Sequence, residues 1–90
     1  MIRQPALNIL IVDDEAPARN RLHALLADIS GIDVIVEAKN GKQALEIASD
    51  KQPDIVLLDI RMPEMDGIEV AQHLQKLSKP PAIIFTTAYD

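Results

Sequence analysis

Four short apolar runs, separated by longer segments with helical spacing, constrain the fold of this 90-residue chain more than any other feature. The runs cover residues 8–12, 33–37, 54–58 and 82–86, and each has the length and β-branched composition of a buried strand. Because strands alternate with helices, the crossovers are expected to be right-handed and the sheet parallel, with helices on both faces. The predicted fold class is therefore α/β, with a doubly wound parallel sheet.

The three segments between these runs predict helices. The first is expected to begin after Asp14 as its N-cap and to end at Gly31 as its C-terminal cap. Its apolar positions recur at helical spacing and are Ala18, Leu22, Leu25, Leu26 and Ile29. The second helix has the apolar face Ala44, Leu45 and Ala48, and ends either at residues 49–50 or at residues 51–53. The third carries Ile68, Ala71 and Leu74, and extends to Leu77 if its spacing continues.

Charge and cysteine content exclude several classes of protein. The formal net charge is -5 and the sequence pI is near 4.8, which disfavours direct contact with nucleic acid. The chain has no cysteine, so disulfides, thiolate metal sites and cysteine nucleophiles are excluded. No apolar run is long enough to span a bilayer, and the N-terminus does not resemble a signal peptide. A cytoplasmic protein without membrane contact is expected.

Polar residues follow three of the four strands, at the point where each strand ends. Asp13 and Asp14 follow the first, Asp59 the third, and Thr86 and Thr87 the fourth. Ligands of such sheets bind outside the carboxyl ends of the strands, so these side chains are expected to share a crevice. Three carboxylates there would repel each other unless a cation is bound, and all-oxygen ligation favours Mg²⁺. A carboxylate beside Mg²⁺ can act as a nucleophile towards phosphorus.

Each of these residues also has an ordinary structural interpretation. Asp13 and Asp14 can cap a helix, Asp59 can begin a turn, and the two threonines are good strand residues. The surface is the expected place for the side chains of Lys39, Arg61, His23 and His73. The joint placement of polar residues at successive strand ends is what favours the functional interpretation.

Three segments of the sequence resemble the receiver domain of bacterial two-component response regulators. They are residues 9–15 (ILIVDDE), 54–67 (DIVLLDIRMPEMDG) and 85–88 (FTTA). The middle segment is the most specific, and the resemblance covers nearly the whole chain, so residues 1–90 are predicted to form roughly the N-terminal two-thirds of one receiver domain. The resemblance implies a flavodoxin-like (CheY-like) fold with strand order 2-1-3-4-5.

The resemblance also implies a role for each site residue. Asp59 would accept the phosphoryl group, from a phosphohistidine on a histidine kinase or from a small acyl phosphate. Asp13 and Asp14 would hold Mg²⁺ together with Asp59 and the backbone carbonyl of Arg61. Thr87 would be the switch hydroxyl that turns towards the phosphoryl group. Phosphotransfer and the later hydrolysis would be self-catalysed, so the chain would not be an enzyme acting on a separate substrate.

A finer resemblance concerns residues 15–22 (EAPARNRL) and 85–90 (FTTAYD). These segments are similar to receivers attached to LytTR-type DNA-binding domains, the LytR/AlgR-like subgroup. The implied role of the full-length protein is phosphorelay signal transduction that regulates transcription through such an output domain.

The sequence departs from the family after the fourth strand. Receivers have a fifth strand, two further helices and a lysine that contacts the phosphoryl group, and no residue here replaces that lysine, because Lys79 precedes the fourth strand. Phosphotransfer is therefore expected to be weakened or lost. The fourth strand would become an apolar edge, and a dimer through this edge is expected. The alternative function is thus an interaction module that is not phosphorylated.

Two other readings fit the sequence less well. A Mg²⁺-dependent phosphatase with an aspartate nucleophile would carry a second aspartate two residues later, where this chain has Arg61. A nucleotide-binding protein would have a glycine-rich phosphate loop after the first strand, and the acidic segment 13–15 stands there instead.

Overall fold

The computed structural model describes residues 6–87, which form one four-stranded sheet with three helices. The elements are β1 (Leu7–Val12), α1 (Ala16–Ala27), β2 (Ile32–Ala38), α2 (Gly41–Lys51), β3 (Ile55–Leu58), α3 (Gly67–Leu74) and β4 (Ala82–Phe85). All neighbouring strands are parallel, in the order β2-β1-β3-β4. The predicted α/β class and doubly wound parallel sheet are confirmed.

The sheet separates two apolar layers, which explains why its central strands are apolar on both faces. One layer joins the α2 and α3 side to the sheet and contains the fully buried Leu10, Val12, Val56, Leu58, Val70 and Leu74. The other layer contains Ile9, Ile11 and Leu57, packed against Leu22 and Leu26 of α1. The register aligns the ends of the strands, because Val12 pairs with both Ala38 and Leu58, and Leu58 pairs with Phe85.

The limits of α1 differ from the sequence prediction. Its N-cap is Glu15 rather than Asp14, and the cap has no side-chain hydrogen bond. The amide of this N-cap residue is bonded by Asp13 instead, since Asp13 Oδ1 accepts a 2.9 Å hydrogen bond from the Glu15 amide. The helix ends at Ala27, well before Gly31. Gly31 has a φ of 92° and serves the turn into β2, where its carbonyl accepts the Leu7 amide at 2.8 Å.

The predicted apolar face of α1 is only partly buried. Leu22 and Leu26 pack against the sheet, whereas Leu25 is 62% exposed and Ile29 is also exposed. The helix contacts β1 and β2. Ile84, which shares this face with its partner Leu57, is 51% exposed. Among residues 6–87, no helix covers this face at β4.

The other two helices begin at side-chain caps. Asn40 Oδ1 accepts the Gln43 amide at 2.8 Å, and Asp66 Oδ1 accepts the Glu69 amide at 2.9 Å. Of the two predicted ends of α2, the later is observed, with Gln52 in the left-handed region at φ 49°. The third helix ends at Leu74, so Leu77 packs on the core from outside the helix.

The helices of the described residues are short. The longest helix, α1, has 12 residues. Within the part of the chain that the structure describes, no helix combines the length and the apolar character needed to cross a bilayer.

Candidate metal centre at the carboxyl edge of the sheet

Two aspartates leave adjacent strands at the same edge of the sheet. The Asp59 amide donates to the carbonyl of Val12 at 3.0 Å, which continues the β1–β3 ladder by one residue. The Asp13 amide donates to the carbonyl of Ala38 at 3.2 Å, which does the same between β1 and β2. The backbone ladder therefore fixes both aspartates side by side, as the strand-end rule predicted.

Three carboxylates meet at this edge. Asp13, Asp14 and Asp59 each offer an oxygen, and these oxygens lie within 4.8 Å of one another. Asp13 and Asp59 are each 6% exposed, while Asp14 is exposed to solvent. A hard divalent cation prefers such an oxygen set, and the exposed side leaves room for the waters that Mg²⁺ retains. The donor set therefore fits Mg²⁺.

Burial and neighbouring negative charge oppose the ionisation of Asp13. Desolvation is the largest cause that raises the pKa of Asp13 above its ordinary value of 3.8, and the charges of Asp59, Asp14 and Glu15 raise it further. The hydrogen bond from the Glu15 amide opposes this, because it favours the charged form. A bound cation would remove this cost, which is the electrostatic reason for placing one here.

The two carboxylate oxygens of Asp59 have different surroundings. Oδ1 accepts a 2.6 Å hydrogen bond from the Thr87 hydroxyl and a 3.1 Å bond from the Arg61 amide. The same hydroxyl accepts the Ile60 amide at 3.0 Å, so its orientation is fixed. No residue between 6 and 87 donates a hydrogen bond to Oδ2. Among the described residues, Oδ1 is therefore the hydrogen-bonded oxygen of Asp59.

The remaining candidate residues divide between the site and the surface. Arg61 is exposed, and its amide contacts Asp59; the part of its carbonyl in metal binding stays a prediction. The side chains of Lys39 and His73 are exposed, as expected for surface residues, and the side chain of Lys79 is exposed as well. Thr86 hydrogen-bonds through its amide to Leu58 at 3.0 Å and does not reach the carboxylates.

Sequence reasoning missed one network beside the site. The Arg19 guanidinium donates through Nη1 to the Asp13 carbonyl at 2.9 Å and through Nε to Glu37 at 3.2 Å. The other carboxylate oxygen of Glu37 lies 2.9 Å from His23 Nδ1. His23 is half-exposed, as a surface residue, yet it has this partner. No motif in the sequence predicts contacts between residues so far apart along the chain.

The raised pKa of Asp13 predicts that the variant Asp13→Asn is more stable than the parent without metal and less stable with it. Without metal at neutral pH, the variant should be more stable to urea than the parent, because it removes a buried charge among like charges. Since the folded pKa lies above the unfolded one, the parent gains stability as pH falls through the raised pKa. The difference between the two proteins should therefore shrink on acidification, and level off below the ordinary value of 3.8.

Magnesium should reverse the order of stability. A ligand present at about one hundred times its Kd stabilises a folded protein by about 2.7 kcal/mol, and only the parent keeps all three carboxylates. Urea denaturation in EDTA and in Mg²⁺, at neutral and acidic pH, measures both effects. A parent that is more stable than the variant in EDTA at neutral pH would contradict the account of Asp13.

The arrangement defines a class of protein: a doubly wound sheet with a buried aspartate that is hydrogen-bonded through one carboxylate oxygen and lies beside a candidate cation site. Comparison with solved structures agrees with the fold. The response regulator domain of CheB from Thermotoga maritima superposes with a TM-score of 0.83 at 32% identity, over 89% of this chain and 59% of that one. The flavodoxin-like (CheY-like) architecture predicted from the sequence is thereby confirmed.

The family follows from a match over most of the chain. Residues 9–90 match the family model of the response regulator receiver domain, and the chain belongs to this family. A receiver domain is in general a phosphoacceptor rather than a true enzyme.

Relatives of known description place the chain near one subgroup. It is 51% identical over 85 residues to the positive alginate biosynthesis regulatory protein of Pseudomonas aeruginosa, and 49% identical over 84 residues to the sensory transduction protein LytR of Staphylococcus haemolyticus. The matches cover 93% of this chain, but only 34% and 33% of those proteins. The chain thus spans about a third of the length of these relatives, and the predicted LytR-like resemblance is confirmed.

Proposed function

We propose that this chain is the phosphoacceptor domain of a phosphorelay, with Asp59 as the acceptor. The phosphoryl donor is a histidine kinase or a small acyl phosphate, and phosphorylation switches an output domain that regulates transcription. The observation that carries the proposal is the setting of Asp59: its Oδ1 is held by Thr87 and Arg61, and one of its carboxylate oxygens lies within 4.8 Å of oxygens of Asp13 and Asp14.

The reaction needs little from the protein beyond positioning. Oδ2 of Asp59 attacks phosphorus, a new oxygen–phosphorus bond forms, and the bond to the leaving group breaks with its electron pair going to that group. The leaving group is an imidazole nitrogen for a phosphohistidine and an acetate oxygen for acetyl phosphate. The bonds to Oδ1 hold the carboxylate while the other oxygen reacts, which is the main requirement of phosphoryl transfer.

The carboxylates of Asp13, Asp14 and Asp59 would hold Mg²⁺, with the backbone carbonyl of Arg61 as a further ligand. When bound, Mg²⁺ neutralises charge on the phosphoryl oxygens and between the carboxylates. Thr87 is proposed to act as the switch hydroxyl, because it already contacts the oxygen beside the one that would carry the phosphoryl group. Self-catalysed hydrolysis by water would end the signal.

Incubation with acetyl phosphate followed by intact-mass measurement tests this function. As a polypeptide of these 90 residues, the parent in Mg²⁺ is expected to gain the mass of one phosphoryl group, more slowly than a receiver that has the family's lysine, and the same protein in EDTA is not. The cation requirement follows from three clustered carboxylates that would otherwise repel a phosphate. A folded protein that binds Mg²⁺ but never gains the adduct would contradict the proposal and favour the second function below.

The proposed place of action is the cytoplasm, and the proposed first partner is a histidine kinase. The net charge of -5 supports a domain that leaves DNA contact to another part of the protein, because a DNA-binding surface is basic. Two relatives are described as a regulatory protein of alginate biosynthesis and a sensory transduction protein, which supports an output in gene regulation.

A second function, that of an interaction module, has its own support at β4. This strand lies at the edge of the sheet, and no strand among residues 6–87 pairs with its outer side. Its Ile84 is 51% exposed and its Phe85 is 42% exposed, on opposite faces. An apolar edge with unpaired backbone groups is a template for another strand, so a polypeptide of these 90 residues is proposed to self-associate there.

Light scattering at micromolar concentration tests the association. The 90-residue chain is expected to be dimeric or larger, and Ile84→Lys should shift it to monomer because a charge on an edge strand opposes pairing. Leu25→Lys is the matched control, since Leu25 is an even more exposed apolar residue but lies on α1. A monomeric parent would exclude this function, and an equal effect of both variants would exclude the β4 edge as its cause.

A further inference from the structure

One positively charged side chain outside the carboxylate cluster contacts the backbone of Asp13. Arg19 stands in the first half of α1, and its side chain is 17% exposed. Its guanidinium bridges two acceptors that are far apart in sequence: the main-chain carbonyl of Asp13 at 2.9 Å and Oε1 of Glu37 at 3.2 Å. Two acceptors in different directions suit the planar fork of arginine, which lysine cannot reproduce.

Glu37 anchors this bridge to the sheet. It belongs to β2 and pairs with Ile11 of β1. Its two carboxylate oxygens are held by two residues one turn apart on α1, Oε1 by Arg19 and Oε2 by His23. Both residues therefore connect α1 to β2 through Glu37. Of the two, Arg19 also contacts the Asp13 carbonyl. This difference separates a role in helix docking from a role in the metal site.

The polar groups of Asp13 are held almost completely. Its amide donates to Ala38, its carbonyl accepts from Arg19, and its Oδ1 accepts from the Glu15 amide. Oδ2 is then the Asp13 oxygen without a hydrogen bond from any residue between 6 and 87. The Arg19 contact is made to the carbonyl of the peptide that joins Asp13 to Asp14.

We propose that Arg19 is a positioning residue of the metal centre, which holds the Asp13–Asp14 peptide so that both carboxylates face Asp59. The inference rests on the proposed function for the identity of the cation. It differs from a general stabilising role, because loss of Arg19 should disturb Asp13 and Asp14 beyond what loss of helix docking does. Contacts of this kind, one step removed from a metal, typically change its affinity by about tenfold or more.

Calorimetric titration with Mg²⁺, at a temperature where every variant is folded, tests the inference. Arg19→Met keeps the length and apolar stem of the side chain and should bind Mg²⁺ about tenfold more weakly than the parent. Arg19→Lys keeps the charge without the fork and should also bind more weakly. His23→Ala removes the other contact to Glu37 and is expected to bind as the parent does.

A second readout uses the metal-free protein. Amide hydrogen exchange at Glu15 reports its bond to Asp13 Oδ1, and Arg19→Met should accelerate it while His23→Ala should not. Equal Mg²⁺ affinity of Arg19→Met and the parent, or an equal loss in Arg19→Met and His23→Ala, would overturn the inference. A parent that binds no Mg²⁺ would overturn the metal part of the proposed function, and unchanged Glu15 exchange would then reject Arg19 separately. If Arg19→Met does not fold, Arg19→Lys decides by the same measurements.

Discussion

Asp59→Asn is expected to abolish phosphorylation by acetyl phosphate, with no adduct detected by intact mass. Asparagine has the shape of aspartate, and its carbonyl oxygen can still accept from Thr87 and from the Arg61 amide. Its amide nitrogen, however, is not a nucleophile towards phosphorus and brings no negative charge to the cation. The loss should therefore be complete while the fold is retained.

Asp66→Asn is the matched control. Asp66 belongs to the same loop after β3, but its Oδ1 caps α3 by accepting the Glu69 amide at 2.9 Å, and an asparagine can do the same. This variant should be phosphorylated like the parent. An adduct of undiminished yield on Asp59→Asn would show that another residue accepts the phosphoryl group.

Gly67→Ala is expected to lower the free energy of unfolding by about 3 kcal/mol or more, at the upper end of overpacking effects. A Cβ at this position would lie 2.3 Å from the Asp59 carbonyl oxygen and 2.7 Å from the Ile60 Cα. Both are backbone atoms, so neither can move aside as a side chain would. The Gly67 amide also donates to the Ile60 carbonyl at 2.8 Å, which closes the loop below Asp59.

Urea denaturation followed by circular dichroism measures this loss, with Gly31→Ala as its control. At Gly31 a Cβ would meet nothing within 4 Å, and only the φ of 92° opposes a side chain. Such backbone strain costs about 1 to 2 kcal/mol. Gly67→Ala should therefore be the more damaging change, with a fall in Tm of roughly 10 to 25 °C for a domain of this size. An equal or smaller loss than at Gly31 would contradict the close approach.

The sheet could be predicted well because its strands are short apolar runs that end in polar residues. β1 and β3 were each placed within one residue, since the change from Val12 to Asp13 and from Leu58 to Asp59 is abrupt. The C-terminus of α1 was placed too late, because Gly31 looks like a helix cap whether it ends a helix or begins a strand. Local sequence does not show whether a glycine with a positive φ ends a helix or precedes a strand.

The carboxylates of the site could be predicted from strand ends alone, and the role of Thr87 came from the family resemblance. The Arg19 contacts could not be predicted, because Glu37 is 18 residues away and reaches Arg19 only once β2 has paired with β1. Repulsion between the carboxylates follows from the sequence, but burial is the larger cause of the raised pKa of Asp13. The degree of burial depends on packing that no single segment encodes.

Chemical mapping of the adduct decides whether Asp59 itself carries the phosphoryl group. Borohydride reduces an aspartyl phosphate to homoserine, so the phosphorylated protein can be reduced, digested and sequenced by mass spectrometry. We expect homoserine at position 59 and unchanged aspartate at Asp13 and Asp14. Homoserine at either of those two positions, or an adduct that resists reduction and maps to His23 or His73, would contradict it.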